Sequence, residues 1–128
     1  MLHNPPQSVI AVFERLPYWG PEAQRQFEDA AVAIKECRSL DDLSPSITGF
    51  GSALIVLDLQ PALPECLAWL SRNAELYWHR CPIIACGNKQ TDELEWILRE
   101  AGVTAYLPDV ISGDDFGRLC RRLLGLPH

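Results

Sequence analysis

The segment Ala53-Leu-Ile-Val-Leu57, followed directly by Asp58, decides the fold. Five consecutive apolar residues, two of them β-branched, are typical of a strand that is buried on both faces of a parallel sheet. The polar side chain of Asp58 ends this run and marks the carboxyl end of the strand. The segment therefore predicts a central strand that carries an acidic residue at its carboxyl end.

Apolar runs on either side of this segment predict four more strands. Most are short and rich in β-branched residues, as buried strands are. They are Ser8–Phe13, a weaker alternating strand around Val32 and Ile34, Ile83–Cys86 and Val103–Leu107.

Helical spacing of apolar residues predicts a helix after each strand. Pro21 suits the first turn of the first helix, Pro45 is expected to end the second, and Thr91 is expected to cap the fourth. The predicted helices are Pro21–Ala30, Leu40–Leu43 with Ser39 as its cap, Pro64–Leu76 with Leu67, Leu70 and Ala74 facing inward, the segment between Thr91 and Gly102 with Leu94, Ile97, Leu98 and Ala101 as its apolar stripe, and Asp114–Leu124.

Strands that alternate with helices predict an α/β fold. Right-handed crossovers then produce a doubly wound parallel five-stranded sheet that is covered on both faces. No linker, repeat or low-complexity segment interrupts the alternation. We therefore expect residues 1–128 to form one domain, with a core from about residue 8 to residue 124.

Composition excludes several classes of function. The formal net charge of −6 disfavours binding to nucleic acid by this chain alone, because an acidic surface repels phosphates. The chain has no apolar run long enough to span a membrane, and the segment Met1–Pro6 lacks the features of a secretory signal. We expect a cytoplasmic protein whose five cysteines, none in a Cys-x-x-Cys pair, are small buried hydrophobes.

In a parallel sheet, ligands bind beyond the carboxyl ends of the strands. The residues expected at that edge are Glu14 and Arg15, Asp58, Gly87–Lys89, and Pro108 with Asp109. Asp58 fits either a carboxylate nucleophile or metal ligand, or a strand-ending residue that accepts hydrogen bonds from local amides. Glu14 fits either a ligand or a solvated side chain, and Asp109 fits either a ligand or a turn residue.

Other classes of site find no support. The glycines of Gly49-Phe-Gly51 precede a strand, whereas a dinucleotide-binding loop follows one. The loop Arg15–Trp19 is too bulky to wrap the phosphate of a flavin. A Gly-x-Ser-x-Gly elbow is absent from the sequence, so a conventional hydrolase is not expected.

Three segments together resemble the receiver domain of two-component response regulators. Leu54–Pro61 resembles the third strand of a receiver, with Asp58 as the phosphoacceptor, and Cys81–Cys86 resembles the fourth strand. Glu100–Leu107 is similar to the Ala-Gly-Ala-x-x-Tyr-Leu segment that enters strand five. The resemblance covers roughly Ser8–Leu124 and implies a flavodoxin-like (βα)5 fold with strand order 2-1-3-4-5.

This sequence departs from the receiver pattern at the positions that carry the chemistry. Receivers end strand one with two acidic residues that hold magnesium, whereas this chain has Phe13 and Glu14 there. The phosphoryl-binding hydroxyl after strand four is replaced by Gly87, and the lysine after strand five by Asp109. The resemblance therefore implies a pseudo-receiver in which Asp58 is a vestigial phosphoacceptor. Glu14 and Asp58 would hold magnesium weakly if at all, and no other cofactor is expected.

The resemblance also implies the mode of action. Receivers bind partners through helix four, strand five and helix five, and we expect Trp96 and Tyr106 to contribute to that face. The leading hypothesis is a non-enzymatic module that binds a histidine kinase, another signalling protein or a second copy of itself. One alternative is an atypical receiver that is phosphorylated on Asp58 in a phosphorelay. Another is a sensor of a divalent cation or small ligand that uses Glu14, Asp58 and Asp109.

Overall fold

The apolar runs of the sequence form one parallel sheet. The computed structural model describes residues 6–60, 62–77 and 81–127, and within 74–77 it describes the backbone alone. The strand order is β2-β1-β3-β4-β5, and all four pairings are parallel. The strands are β1 (Ser8–Phe13), β2 (Val32–Cys37), β3 (Ser52–Asp58), β4 (Ile83–Cys86) and β5 (Ala105–Leu107). This arrangement confirms the predicted α/β class and the 2-1-3-4-5 order.

Helices cover both faces of the sheet. Buried side chains of α1 and α5 pack with Ile10, Leu54 and Ile84 on one face, whereas α2, α3 and α4 pack on the other face with residues such as Ile55 and Leu57. The helices are α1 (Trp19–Gln26), α2 (Leu43–Ile47, after a 3₁₀ turn over Leu40–Asp42), α3 (Leu63–Tyr77), α4 (Glu95–Glu100, after a 3₁₀ turn over Asp92–Leu94) and α5 (Gly113–Leu124).

The first two helices differ most from the sequence prediction, whereas the predicted bounds of α3 and α5 are within one residue of those observed. Helix α1 begins at Trp19 and ends at Gln26, so Ala30 is exposed and lies outside the helix. Pro45 was expected to end the second helix, but it lies in the first turn of α2. A proline is tolerated there because the first amides of a helix have no intrahelical acceptor.

Some predictions about individual residues need correction, and others fall on residues outside the description. The hydroxyl of Thr91 does not cap α4. It accepts a hydrogen bond from the Asn88 amide within the β4–α4 loop instead. Ile97 was placed on the apolar stripe of α4, yet it is exposed. Strand β5 begins at Ala105, although Val103 before it is buried. The side chain of Ala74 lies outside the described residues, as does Pro61.

The cysteines belong to the two halves of the core. All five are buried and free of disulfide bonds, as the sequence predicts. Burial raises the pKa of the Cys66, Cys81 and Cys120 thiols to about 12, so few of these groups are thiolates at neutral pH. No helix in the described part of the chain combines the length and the apolarity that a bilayer crossing requires.

Candidate functional site

The carboxyl ends of β1, β3 and β4 bring three of the predicted site residues together. Phe13 pairs with Leu57 across β1 and β3, and Asp58 pairs with Cys86 across β3 and β4. Glu14 directly follows β1 and Gly87 directly follows β4, so they lie on either side of Asp58 at one edge of the sheet. The carboxyl groups of Glu14 and Asp58 are close enough to interact electrostatically.

Glu14 is a helix cap. Its Oε1 accepts hydrogen bonds from the amides of Tyr18 at 3.0 Å and Trp19 at 2.9 Å, and its Oε2 accepts one from Gly20 at 2.8 Å. The side chain is only 5% exposed. Amides at the start of a helix lack intrahelical acceptors and carry partial positive charge, which a carboxylate satisfies well. The interpretation of Glu14 as a solvated side chain is therefore wrong, and both of its carboxylate oxygens accept hydrogen bonds from backbone amides.

Asp58 has the environment of a strand-ending residue. Its Oδ1 accepts a hydrogen bond from the Gln60 amide at 3.2 Å, the local contact that the second interpretation of Asp58 anticipated. Burial raises the pKa of the Asp58 carboxyl, and the nearby Glu14 carboxylate raises it further, while the Gln60 amide opposes both. Asp58 is half-buried, so part of the residue remains accessible to solvent at the carboxyl end of β3.

Gly87 makes room for an inward-facing tyrosine. A Cβ atom at residue 87 would lie 2.1 Å from Thr91 Oγ1, 2.5 Å from Tyr106 Oη and 2.8 Å from Tyr106 Cε1. Real Cβ atoms do not approach other atoms so closely. Any larger residue at this position would therefore have to displace the tyrosine or the threonine.

Tyr106 is held in place by a network of hydrogen bonds. Its hydroxyl lies 2.7 Å from Thr91 Oγ1, 2.9 Å from Asp92 Oδ1 and 3.3 Å from the Asn88 carbonyl oxygen. The ring is 7% exposed. The expectation that Tyr106 extends an exposed partner face is therefore wrong, because the glycine and the loop after β4 let the ring turn inward.

The remaining sequence-predicted residues have different surroundings. Phe13 is 2% exposed and belongs to the apolar core, so it offers no ligand atom. Asp109 lies two residues beyond β5 in an exposed loop, where its Oδ1 accepts a hydrogen bond from the Val110 amide at 2.7 Å. Trp96 is 62% exposed on α4, as its position off the apolar stripe predicts.

A magnesium ion does not fit these residues well. Magnesium requires several oxygen ligands in near-octahedral geometry. Both oxygens of Glu14 already accept hydrogen bonds from backbone amides, and Phe13 replaces a second acid. Among the described residues, no group of three His, Cys, Asp or Glu side chains is arranged to hold a metal ion.

Comparison with known proteins identifies the fold. Neither a family model nor a curated protein sequence matches the chain. The receiver domain of the TMAO respiratory system response regulator TorR superposes with a TM-score of 0.75 at 17% identity, over 91% of this chain and 96% of that one. The chain has the receiver fold. A two-component response regulator from Clostridium difficile gives 0.74 at 13% identity, over 93% and 97% of the two chains.

One similar structure comes from a different context. A protein from Sinorhizobium meliloti assigned to pilus assembly superposes with a TM-score of 0.66 at 22% identity, over 90% of this chain and 98% of that one. The receiver fold thus matches the resemblance found in the sequence, and it places Glu14, Asp58 and Gly87 at the ends of β1, β3 and β4.

The capping role of Glu14 is the main feature of this receiver fold that sequence reasoning missed. A signal for it exists, since an acidic residue precedes Pro21 by seven positions, and Pro21 indicates a first helical turn. The spacing is too long for a standard capping box, in which the acidic residue lies inside the helix. The turn of Arg15–Pro17 that folds Glu14 back onto α1 could be found only from the structure.

Proposed function

We propose that this chain is a receiver-like signalling module that acts by protein–protein contact, without phosphorylation and without a catalytic step of its own. Its partner would be a histidine kinase, another signalling protein or a second copy of the chain, and it would act in the cytoplasm. The proposal rests on the receiver fold together with the residues at three positions of the receiver pattern, Glu14, Gly87 and Asp109.

The observation that carries the proposal is the engagement of Glu14. Phosphoryl transfer depends on cations that neutralise charge on the transferred group. Glu14 is the one acidic residue that remains at the end of β1. Both of its carboxylate oxygens accept hydrogen bonds from the amides of Tyr18, Trp19 and Gly20. Recruiting magnesium there would uncap α1, which would cost stability.

The other substitutions act in the same direction. Gly87 has no hydroxyl group to offer a phosphoryl oxygen, and the space beside it is filled by Tyr106 and Thr91. Asp109 brings negative charge where the receiver pattern has a lysine. A phosphoryl group on Asp58 would add further negative charge near Glu14, and like charges at short range disfavour each other.

Helix α4 supports a contact through its exposed surface. Trp96 is 62% exposed and Ile97 is 39% exposed, so two large apolar side chains are adjacent in sequence and open to solvent. Tryptophan is frequent among the residues that dominate binding energy in protein interfaces. We place the partner contact on α4, with Trp96 as its main anchor and without Tyr106.

Incubation with acetyl phosphate and magnesium, followed by intact mass measurement, tests the proposal. We expect no phosphoryl adduct on the wild-type chain, while a conventional receiver in the same reaction becomes labelled. Asp58→Asn serves as the matched control, because it replaces the carboxylate at the phosphoacceptor position with an amide that cannot be phosphorylated. A stoichiometric adduct that is absent from Asp58→Asn would refute phosphorylation independence and favour the atypical phosphoacceptor.

A further inference from the structure

A cleft lies beside the carboxyl edge of the sheet, between the ends of β1 and β2 and the helix α3. Its volume is about 380 Å³, within the range of roughly 300–1,000 Å³ that is typical of small-molecule sites. It is lined by residues from the segments 13–15, 38–41 and 62–72. Neither Glu14 nor Asp58 lines it, so it is separate from the site described above.

Three arginines line the cleft. Arg15, Arg38 and Arg72 come from three different segments of an acidic chain and meet around one space. Arg38 and Arg72 form no salt bridge with another described residue, whereas Arg25, Arg99 and Arg118 are each paired with a carboxylate. The guanidinium group matches phosphate oxygens in a bidentate geometry, so converging arginines are typical of phosphate recognition.

The rest of the lining includes both apolar and acidic residues. Phe13 and Ala62 are buried apolar residues of the lining, which suits a flat or aliphatic body. Asp41 and Glu65 also line the cleft, and their carboxylates can accept hydrogen bonds from hydroxyl groups. Since these two acids leave a net charge of +1 from the five ionisable side chains, a simple inorganic anion would gain little.

We propose that this cleft binds an organic phosphate, that is, a phosphate ester whose body carries hydroxyl groups. The arginines hold the phosphate, Phe13 supports the body, and Asp41 and Glu65 accept hydrogen bonds from its hydroxyls. A second depression shares Asp41 and Arg72 and continues along α3 toward Asn73, which leaves room for a body larger than one ring. Binding here gives the module a chemical input that is independent of Asp58.

Calorimetric titration with three probes tests this assignment. Adenosine 5′-monophosphate carries a phosphate, hydroxyls and a flat body, while adenosine lacks the phosphate and inorganic phosphate lacks both the hydroxyls and the flat body. We expect saturable binding of the nucleotide that is at least about tenfold tighter than that of either fragment, because each fragment lacks some of the contacts that the nucleotide makes. Backbone amide resonances of Arg38, Ser39 and Arg72 should shift during the titration.

The variants that decide the matter change exposed arginines, so they leave the core intact. Arg38→Gln combined with Arg72→Gln should weaken nucleotide binding at least about tenfold. Arg122→Gln, an exposed arginine on α5, is the matched control and should leave binding unchanged. Equal affinity for inorganic phosphate, equal weakening by Arg122→Gln, or no saturable binding at millimolar nucleotide would each overturn the assignment.

Discussion

At the level of single residues, Gly87 determines where Tyr106 lies. A methyl group at residue 87 would overlap both the Tyr106 ring and the Thr91 hydroxyl. We expect Gly87→Ala to lower the free energy of unfolding by about 1–3 kcal/mol, the usual cost of overpacking, because the hydrogen bonds of Tyr106 to Thr91 and Asp92 must break. Urea denaturation followed by fluorescence measures this change.

Gly51→Ala is the matched control for this substitution. A Cβ atom at residue 51 would meet the nearest atoms of Gln7 at 3.5 and 3.6 Å, which are ordinary contact distances. The control should therefore change the free energy of unfolding by less than about 0.5 kcal/mol. If the two alanine variants were equally stable, the inward position of Tyr106 would not depend on the glycine.

The charge of Asp58 is expected to make the stability of the fold depend on pH. Burial and the neighbouring Glu14 raise the pKa of the Asp58 carboxyl above its ordinary value of 3.8, so the folded state binds this proton more tightly than the unfolded chain does. The charged form therefore destabilises the fold once the pH rises through the folded-state pKa. Asp58→Asn keeps the acceptor for the Gln60 amide and removes the charge.

We expect Asp58→Asn to melt a few degrees above the wild type at pH 7, and the difference to shrink as the pH falls toward 3.8. Thermal melts of both proteins across this pH range measure the effect. Asp109→Asn is the control, since Asp109 is exposed and makes a similar local hydrogen bond. A difference that did not vary with pH would contradict the role of the Asp58 charge.

At the level of elements, the sequence predicts strands better than helix ends. The bounds of β1 and β4 agree with their continuous apolar runs, because burial on both faces leaves no polar residue inside these strands. The bounds of α1 depend on Glu14, which contacts Trp19 and Gly20 from outside the helix. Periodicity reports which face is buried, whereas helix ends depend on capping contacts that arise from folding.

Helix α4 carries the prediction about partner binding. Trp96→Ala removes the large exposed side chain of this helix, so we expect self-association or partner binding to weaken at least about tenfold. The melting temperature should stay nearly unchanged, because the ring is not part of the core. Sedimentation equilibrium of the purified chain measures self-association, and titration calorimetry measures partner binding.

Leu16→Ala is a suitable control for Trp96→Ala. Leu16 is 80% exposed and lies in the loop between β1 and α1 rather than on α4. It should leave association intact, which separates a specific anchor from a general loss of apolar surface. The assignment of α4 as the contact surface would be wrong if Trp96→Ala left association unchanged or unfolded the protein.

For the whole molecule, the sequence predicted the topology and which positions meet, but not what each side chain does there. Parallel pairing brings Glu14, Asp58 and Gly87 to one edge, and the strand order that the receiver resemblance implied makes them neighbours there. The capping by Glu14 and the burial of Tyr106 depend on differences of a few tenths of an ångström in the distances between atoms. Such distances are set by the packing of the assembled sheet and loops, which residue patterns do not specify.

The response of the whole fold to magnesium follows from this arrangement. A ligand that binds only the folded state raises its stability, by about 2.7 kcal/mol when the free concentration is a hundred times the dissociation constant. Because the carboxylate of Glu14 is committed to α1, we expect millimolar magnesium to shift the melting temperature by less than about 1 °C. Melts with magnesium and with a chelator, at matched ionic strength, measure this shift. A rise of several degrees that disappears in Asp58→Asn would instead support a divalent-cation sensor at this edge.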